Sequence, residues 1–171
     1  DIDHFKKIND KYGHKAGDDV LVEVTKRLKR VARESDFLVR WGGEEFLLVV
    51  RGTSVELAKL LAQRLCQQFK GEPIKLNEDT EILITCSIGF TPYPFYTDKP
   101  DEISWLECID IADKGLYAAK NSGRDAWVGV TAKEPINDEK HHEHVMDIAQ
   151  GLLCLETNLE RKFVESNWQK F

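Results

Sequence analysis

Two adjacent carboxylates on a two-glycine turn are the residues of this chain best placed to do chemistry, in the run Trp41-Gly42-Gly43-Glu44-Glu45-Phe46. Carboxylate oxygens suit a hard cation such as Mg²⁺, and a cation beside an anionic ligand supports metal-assisted phosphoryl chemistry. The glycines can take the positive φ values of a tight primed hairpin turn, and without side chains they let a bulky anion approach the backbone. Taken alone, the run also describes an ordinary hairpin with solvated acids. Its flanks fit a hairpin in either case. Phe37-Leu38-Val39-Arg40-Trp41 is rich in β-branched and aromatic residues, and Phe46-Leu47-Leu48-Val49-Val50 reads as a mostly apolar buried strand.

Three further blocks accompany the hairpin. The chain opens on Asp1-Ile2-Asp3-His4-Phe5-Lys6-Lys7-Ile8-Asn9-Asp10, continues with Gly13-His14 and Gly17-Asp18, and later carries Ala119-Lys120-Asn121-Ser122-Gly123-Arg124 after Ala112-Asp113 and Leu116-Tyr117. In this order the blocks resemble the GGDEF family of diguanylate cyclases. That family's signature reads Asp-x-Asp-x-Phe-Lys-x-Ile-Asn-Asp, Gly-His, Gly-Asp, Gly-Gly-(Asp/Glu)-Glu-Phe and Ala-Lys-x-x-Gly-Arg. The resemblance runs from residue 1 to about residue 129. Trp41, where the family more often has Tyr or Phe, and Asp125, where Asn is common, are mild departures.

The resemblance implies an enzyme that condenses two GTP into cyclic di-GMP and pyrophosphate across a homodimer, each 3′-hydroxyl aimed at the opposite α-phosphate. It implies Mg²⁺, with Mn²⁺ as the alternative, held by Asp1, Glu44 and the backbone carbonyl of Ile2. Glu45 would support the metal site or the developing charge. Backbone N–H groups of Phe5 and Lys6, in the first turn of a helix, would hold a phosphate, with the Lys6 ammonium in reach. Lys120 and Arg124, four apart at a helix end, would take the outer phosphates, and Asn9 with Asp18 would read the guanine edge. Gly42 and Gly43 would border the substrate. Arg33-Glu34-Ser35-Asp36 matches the family's Arg-x-x-Asp inhibitory motif, with Arg64 as its partner, and implies feedback by cyclic di-GMP.

Each residue also has an ordinary reading. Asp1 can be a solvated terminal residue, Asn9 a turn residue, Asp18 a helix cap, and Lys120 with Arg124 a basic pair favoured by the helix dipole. Arg33 and Asp36 can be surface charge, and His14 reads as structural. A reading from another class is a non-catalytic receptor for GTP or cyclic di-GMP, working through Arg33 and Asp36. Cyclisation of a single nucleotide would need different base recognition from Asn9 and Asp18.

The elements that must position these residues follow from periodicity. Helices are expected over residues 4–15, from Asp18 to about Val31, from a Ser54 cap to about Phe69 and from Ser104 to about Asn121. Leu57, Leu60, Leu61, Leu65 and Phe69 form the expected apolar face of the third. Ile82 to Phe90 reads as a central strand, and Thr91–Ile103, with three of the prolines, as a loop. The order suits an α+β, ferredoxin-like palm with a mixed, largely antiparallel sheet. The family has a hydrophobic strand leading into the first Asp, central to its sheet, and the expectation is that this strand is missing here.

The 171 residues suit a catalytic domain over 1–130 and a C-terminal helical extension over 131–171, whose Val145, Ile148, Ala149, Leu152, Leu159 and Phe163 form one stripe. His141, His142 and His144 read as a solvated helix start rather than a metal site. A net charge of −6 without a basic cluster argues against a nucleic-acid surface. No apolar run approaches the roughly 20 residues of a membrane helix. Cys66, Cys86, Cys108 and Cys154 lack paired spacing and read as reduced thiols of a cytoplasmic protein. The chain starts at Asp, which suits a fragment of a longer parent whose sensor or membrane-anchoring region lies elsewhere.

Overall fold

The computed structural model describes residues 1–132 and 153–159. In chain order the elements are α1 (Phe5–Tyr12), α2 (His14–Val31), β1 (Phe37–Arg40), β2 (Phe46–Val49), α3 (Val55–Gly71), β3 (Ile74–Lys75), β4 (Glu81–Ile82), β5 (Ser87–Phe90), α4 (Trp105–Asn121), β6 (Ala126–Ala132) and β7 (Leu153–Thr157). The class is α+β, as expected. Two compact units divide the chain, Asp1–Ser87 and Ile88–Phe171.

In the first unit, Gly13 adopts a left-handed φ of 84° that no other residue type takes readily, and it separates α1 from α2. Helix α2 therefore starts at His14 rather than at Asp18. Its Val20, Leu21, Val24 and Leu28 are buried at helical spacing. Ser54 caps α3, its hydroxyl accepting the Leu57 N–H at 3.3 Å. The buried stripe of α3 is Ala62, Leu65, Cys66 and Phe69, whereas Leu57 and Leu60, expected on that stripe, are exposed. Arg27 of α2 is buried and donates to the carbonyls of Phe69 and Pro73 at 3.3 and 3.4 Å. It thereby supplies a partner to the Phe69 carbonyl in the last turn of α3, where a helix leaves carbonyls unpaired, and to the Pro73 carbonyl just beyond it.

Strands β1 and β2 pair antiparallel from Phe37↔Val49 to Arg40↔Phe46. The expected strand from Ile82 to Phe90 is broken because its pairing partner changes. Ile82 pairs with Ile74 of β3, while Cys86 bridges to Ile2 at the head of the chain.

In the second unit the strand order is β5-β6-β7. Helix α4 opens with a capping box in which Ser104 and Glu107 satisfy each other's backbone N–H groups. Phe95, Ile103, Ile111, Val128, Val130 and Leu155 belong to one buried cluster. Gly115 of α4 sits so close to the sheet that a Cβ would lie 3.0 Å from the Val128 carbonyl oxygen.

One expectation is corrected here. Leu153–Thr157, read as part of a helix, is a strand that pairs antiparallel with β6 from Val128↔Thr157 to Ala132↔Leu153. Leu-Cys-Leu-Glu-Thr alternates with period 2, and Leu155, paired with Val130, is buried, so burial against β6 overrides the helical stripe. The remainder of the expected helix, with His141, His142 and His144, lies outside the described residues.

Cys66, Cys86 and Cys108 are buried thiols. Among the described residues no helix is long and apolar enough to cross a membrane.

Candidate active site

Residues Asp1–Asp3 run as an extended segment with partners on both sides. Asp1 exchanges two backbone hydrogen bonds with Ser87, at 3.1 and 3.0 Å, and the Asp3 N–H donates to the Thr85 carbonyl at 3.0 Å. On the other side the Ile2 N–H donates to the Glu44 carbonyl at 3.3 Å. Alternation then sorts the side chains. Ile2 and Cys86 are buried in the core, and Asp1 and Asp3 share the opposite face with Thr85 and Ser87.

This places two of the expected metal ligands, Ile2 and Glu44, on hydrogen-bonded neighbours, with Asp1 one residue away. The donor set is two carboxylates and a backbone carbonyl, all hard oxygens, which fits Mg²⁺ or Mn²⁺. Among the described residues no group of three or more His, Cys, Asp and Glu side chains gathers as a metal site, so the two carboxylates here rely on the Ile2 carbonyl to complete the donor set.

The hairpin tip departs from a two-residue primed turn. Arg40 and Phe46 are the last paired residues, so the loop spans Trp41 to Glu45. The Trp41 and Gly42 N–H groups both point at the Glu45 carbonyl, at 2.9 and 3.4 Å. Neither Gly42 nor Gly43 takes a left-handed φ. Gly42 leaves space instead: a Cβ there would lie 2.6 Å from Glu45 Oε2, the free end of a flexible side chain. The Glu45 carboxylate thus folds back over Gly42. Arg40 donates from its guanidinium to the Gly43 carbonyl at 3.1 and 2.7 Å, which pins the loop and brings a positive charge to it.

Helix α1 begins without an acidic residue or side-chain cap in its first turn, leaving the Phe5 and Lys6 N–H groups at its start. Phe5 is buried and Lys6 exposed. Asn9, on α1, lays its side-chain amide against Gly17 of α2, the residue before Asp18.

Lys120 and Arg124 lie in the second unit. Lys120 is in the last turn of α4, but Arg124 is beyond the helix end and not on its surface. Gly123, Arg124 and Asp125 all have left-handed φ, at 117°, 64° and 48°, and the Arg124 N–H returns to the Ala119 carbonyl at 3.1 Å. Two successive non-glycine residues in that region are uncommon and mark a backbone held by its surroundings.

The Arg33–Asp36 motif is a closed turn. Asp36 accepts the Arg33 N–H at 2.8 Å and the Arg51 N–H at 3.2 Å, and its own N–H donates to the Arg33 carbonyl at 3.0 Å. The hydrogen bond from Arg33, aided by that from Arg51 and by the Arg33 charge, holds the Asp36 carboxyl below its usual 3.8. Arg64 stands exposed on α3.

Two contributors were not singled out from sequence. Asp3 is buried and accepts the hydroxyl hydrogens of Thr85 and Ser87, each at 2.7 Å. Its signal was the i, i+2 spacing from Asp1, which on a strand means a shared face. Arg40 had no such signal, because its contact with Gly43 depends on the width of the loop.

Within the first unit, hard-oxygen donors of the Asp1–Ile2 segment and the Trp41–Glu45 loop, together with an uncapped helix start, make a set of groups suited to a cation and phosphates. The chain belongs to the GGDEF family: the profile described as "Diguanylate cyclase, GGDEF domain" matches residues 1–126. Diguanylate cyclase DgcP of Pseudomonas aeruginosa is 42% identical over 132 residues, covering 73% of this chain and 18% of that protein. The crystal structure of the GGDEF domain of YfiN (TpbB) from the same organism is 34% identical with a TM-score of 0.65, covering 73% of this chain and 74% of that one. The GGDEF domain of DgcB from Caulobacter crescentus, crystallised with c-di-GMP, is 32% identical with a TM-score of 0.64, covering 73% and 71%. The chain spans 33% of the first curated relative it matches and 18% of the second.

Proposed function

We propose that this chain is the catalytic domain of a diguanylate cyclase, joining two GTP into cyclic di-GMP with release of two pyrophosphates. The observation that carries this reading is the hydrogen bond between Ile2 and the Glu44 carbonyl, which sets the Asp-rich segment beside the acidic hairpin loop. Family membership, and the c-di-GMP bound by the DgcB domain, support the same ligand class.

In this reading Asp1, Glu44 and the Ile2 carbonyl hold Mg²⁺, which would neutralise the triphosphate and lower the pKa of the attacking 3′-hydroxyl. Glu45 stands behind that site. The Phe5 and Lys6 N–H groups bind phosphate oxygens at the positive end of α1. Lys120 and Arg124 bind the outer phosphates, and Gly42 and Gly43 leave room for substrate at the loop. Asn9 and Asp18 pair with the guanine edge through an amide and a carboxylate. One domain holds one GTP, so two copies must face each other, and positioning with electrostatics supplies most of the rate. The domain works as the output of a longer, signal-receiving protein.

Product feedback belongs to the same proposal. Arg33 and Arg64 offer guanidinium groups that can fork onto guanine or phosphate, and the Asp36 turn presents Arg33. A second reading, a receptor that binds GTP or cyclic di-GMP without turnover, rests on this closed turn.

The test is product formation from GTP and Mg²⁺ by the full-length protein beside a Glu44→Gln variant. Cyclic di-GMP from the first and none from the second is the expected result. Tight GTP binding with no product from the unsubstituted protein overturns the cyclase and leaves the receptor.

A further inference from the structure

Gly17 is the fourth residue of α2, where glycine is a poor helix former and alanine would be preferred. Its φ is not left-handed, so the backbone does not call for glycine. Space does. A Cβ built on Gly17 would overlap the Asn9 Oδ1 atom, and it would lie 3.0 Å from Asn9 Cγ and 3.2 Å from Phe5 Cζ.

The surrounding hydrogen bonds fix the backbone on which this contact depends. The Gly13 N–H donates to the Asn9 carbonyl at 2.9 Å, and the Gly17 N–H donates to the Gly13 carbonyl at 3.3 Å. Asn9, Gly13 and Gly17 are thus tied in sequence through the α1–α2 corner. The main chains hold their places, and the part that must yield to a methyl group is the free end of the Asn9 side chain. Asp18, one residue on, is exposed beside it.

We propose that Gly17 is a specificity-determining positioning residue: its missing side chain is the seat of the Asn9 amide, and filling that seat removes recognition of guanine. This rests on the proposed reading of Asn9 and Asp18 as the guanine-binding pair. Gly17 acts through Asn9 and touches no ligand itself. A purine without the 2-amino and 6-oxo groups makes no demand on that amide, so the effect is confined to guanine nucleotides.

The experiment measures binding of GTP and ATP to the full-length protein, with Ca²⁺ as the cation, for the unsubstituted chain, Gly17→Ala, Asn9→Ala and the double variant. Gly17→Ala is expected to weaken GTP binding at least tenfold and to leave ATP binding unchanged, which collapses the preference. Asn9→Ala should do the same, and adding Gly17→Ala to it should change nothing further, because the seat is then empty. A GTP preference retained in Gly17→Ala overturns the proposal, as does a Gly17→Ala penalty that persists undiminished in the Asn9→Ala background. If Gly17→Ala does not fold, a folded double variant supports the overlap with Asn9, and an unfolded one moves the clash to Phe5 and overturns it. An Asn9→Ala chain that keeps its GTP preference fails at the earlier step, the guanine role of Asn9, and the proposal falls with it.

Discussion

Asp3 and Ser87, 84 residues apart, are joined by a 2.7 Å hydrogen bond from the Ser87 hydroxyl to a carboxylate that is 4% exposed. The Thr85 hydroxyl binds the other oxygen at the same distance. A buried carboxylate is tolerable only when its oxygens are satisfied, and here both hydroxyls come from the strand face that Asp1 and Asp3 share. The pair locks the register of the segment that carries Asp1 and Ile2. Ser87→Ala should cost about 2 kcal/mol and Asp3→Ala about 3 kcal/mol, in the range for hydrogen bonds to a charged group. Urea unfolding midpoints measure both. Activity at saturating GTP should fall further than the stability loss accounts for, since Asp1 loses its register.

Arg27 is the corresponding anchor in the helical layer. Truncation to Ala would leave the Phe69 and Pro73 carbonyls without their buried donor. Arg27→Ala should destabilise by about 3 kcal/mol, and Arg27→Lys should recover only part of it, because an ammonium cannot fork to two separated carbonyls. Denaturant titration of the three proteins ranks them.

Much of this arrangement is legible in sequence, and the rest is lost for identifiable reasons. The Ser104 and Ser54 caps are local: a hydroxyl meets an N–H three residues on, and the pattern is visible in the chain itself. The Asp1, Glu44 and Asn9 blocks were legible as motifs. The break in the strand at Leu83, the five-residue loop at Trp41–Glu45 and strand β7 were not. The strand break and β7 depend on partners far along the chain, Ile2 for Cys86 and Val130 for Leu155, whereas the loop depends on a local contact, Arg40 with the Gly43 carbonyl, whose geometry no residue pattern encodes. Leu153–Thr157 supports a period of 2 as well as a helical stripe, and only burial against β6 decides between them.

Asp36 makes the turn at the proposed feedback site sensitive to acid. Its folded-state pKa lies below the ordinary 3.8, chiefly through the Arg33 N–H. Ionised Asp36 therefore stabilises the fold above that ordinary value, and the contribution is lost as pH falls through the lowered one. The difference in Tm between the unsubstituted protein and Asp36→Asn should be constant near neutral pH and shrink below pH 3.8. A difference that grows on acidification would contradict the sign. At neutral pH, Asp36→Asn should also weaken inhibition by cyclic di-GMP, because Arg33 loses its support.

Burial pushes the Cys108 thiol up to about 11, with the nearby Glu107 charge adding to it. Cys86 is raised well above its usual 9.0, first by its hydrogen bond with Cys66 and then by burial. Thiolate is the reactive form, so at pH 8 only about a thousandth of Cys108 is available to an alkylating reagent. Peptide mapping after iodoacetamide should find Cys66, Cys86 and Cys108 unlabelled in the native protein and labelled in urea. The sign for stability runs opposite to that of Asp36. Neutral Cys108 stabilises below its unfolded pKa near 9.0, and the contribution is lost as pH rises towards 11.

Gly42 and Gly43 are adjacent, yet the structure gives them different reasons to be glycine. A Cβ on Gly42 would meet the Glu45 carboxylate at 2.6 Å, and that contact is the free end of a flexible side chain. Gly42→Ala should therefore fold with little change in Tm while Glu45 swings away from the loop, and in the proposed cyclase this should lower turnover with GTP by about a hundredfold, the lower end for one electrostatic group. Gly43 has open space around its Cβ position and no left-handed φ, so nothing within the protein forbids a side chain. In the proposed cyclase, the demand for glycine there is the approach of the substrate. Gly43→Ala should accordingly leave stability unchanged and raise the KM for GTP, and a larger residue should raise it further. Equal KM values for Gly43→Ala and Gly43→Val would mean that substrate does not pass over this residue, and the loop would then act through Glu44 and Glu45 alone.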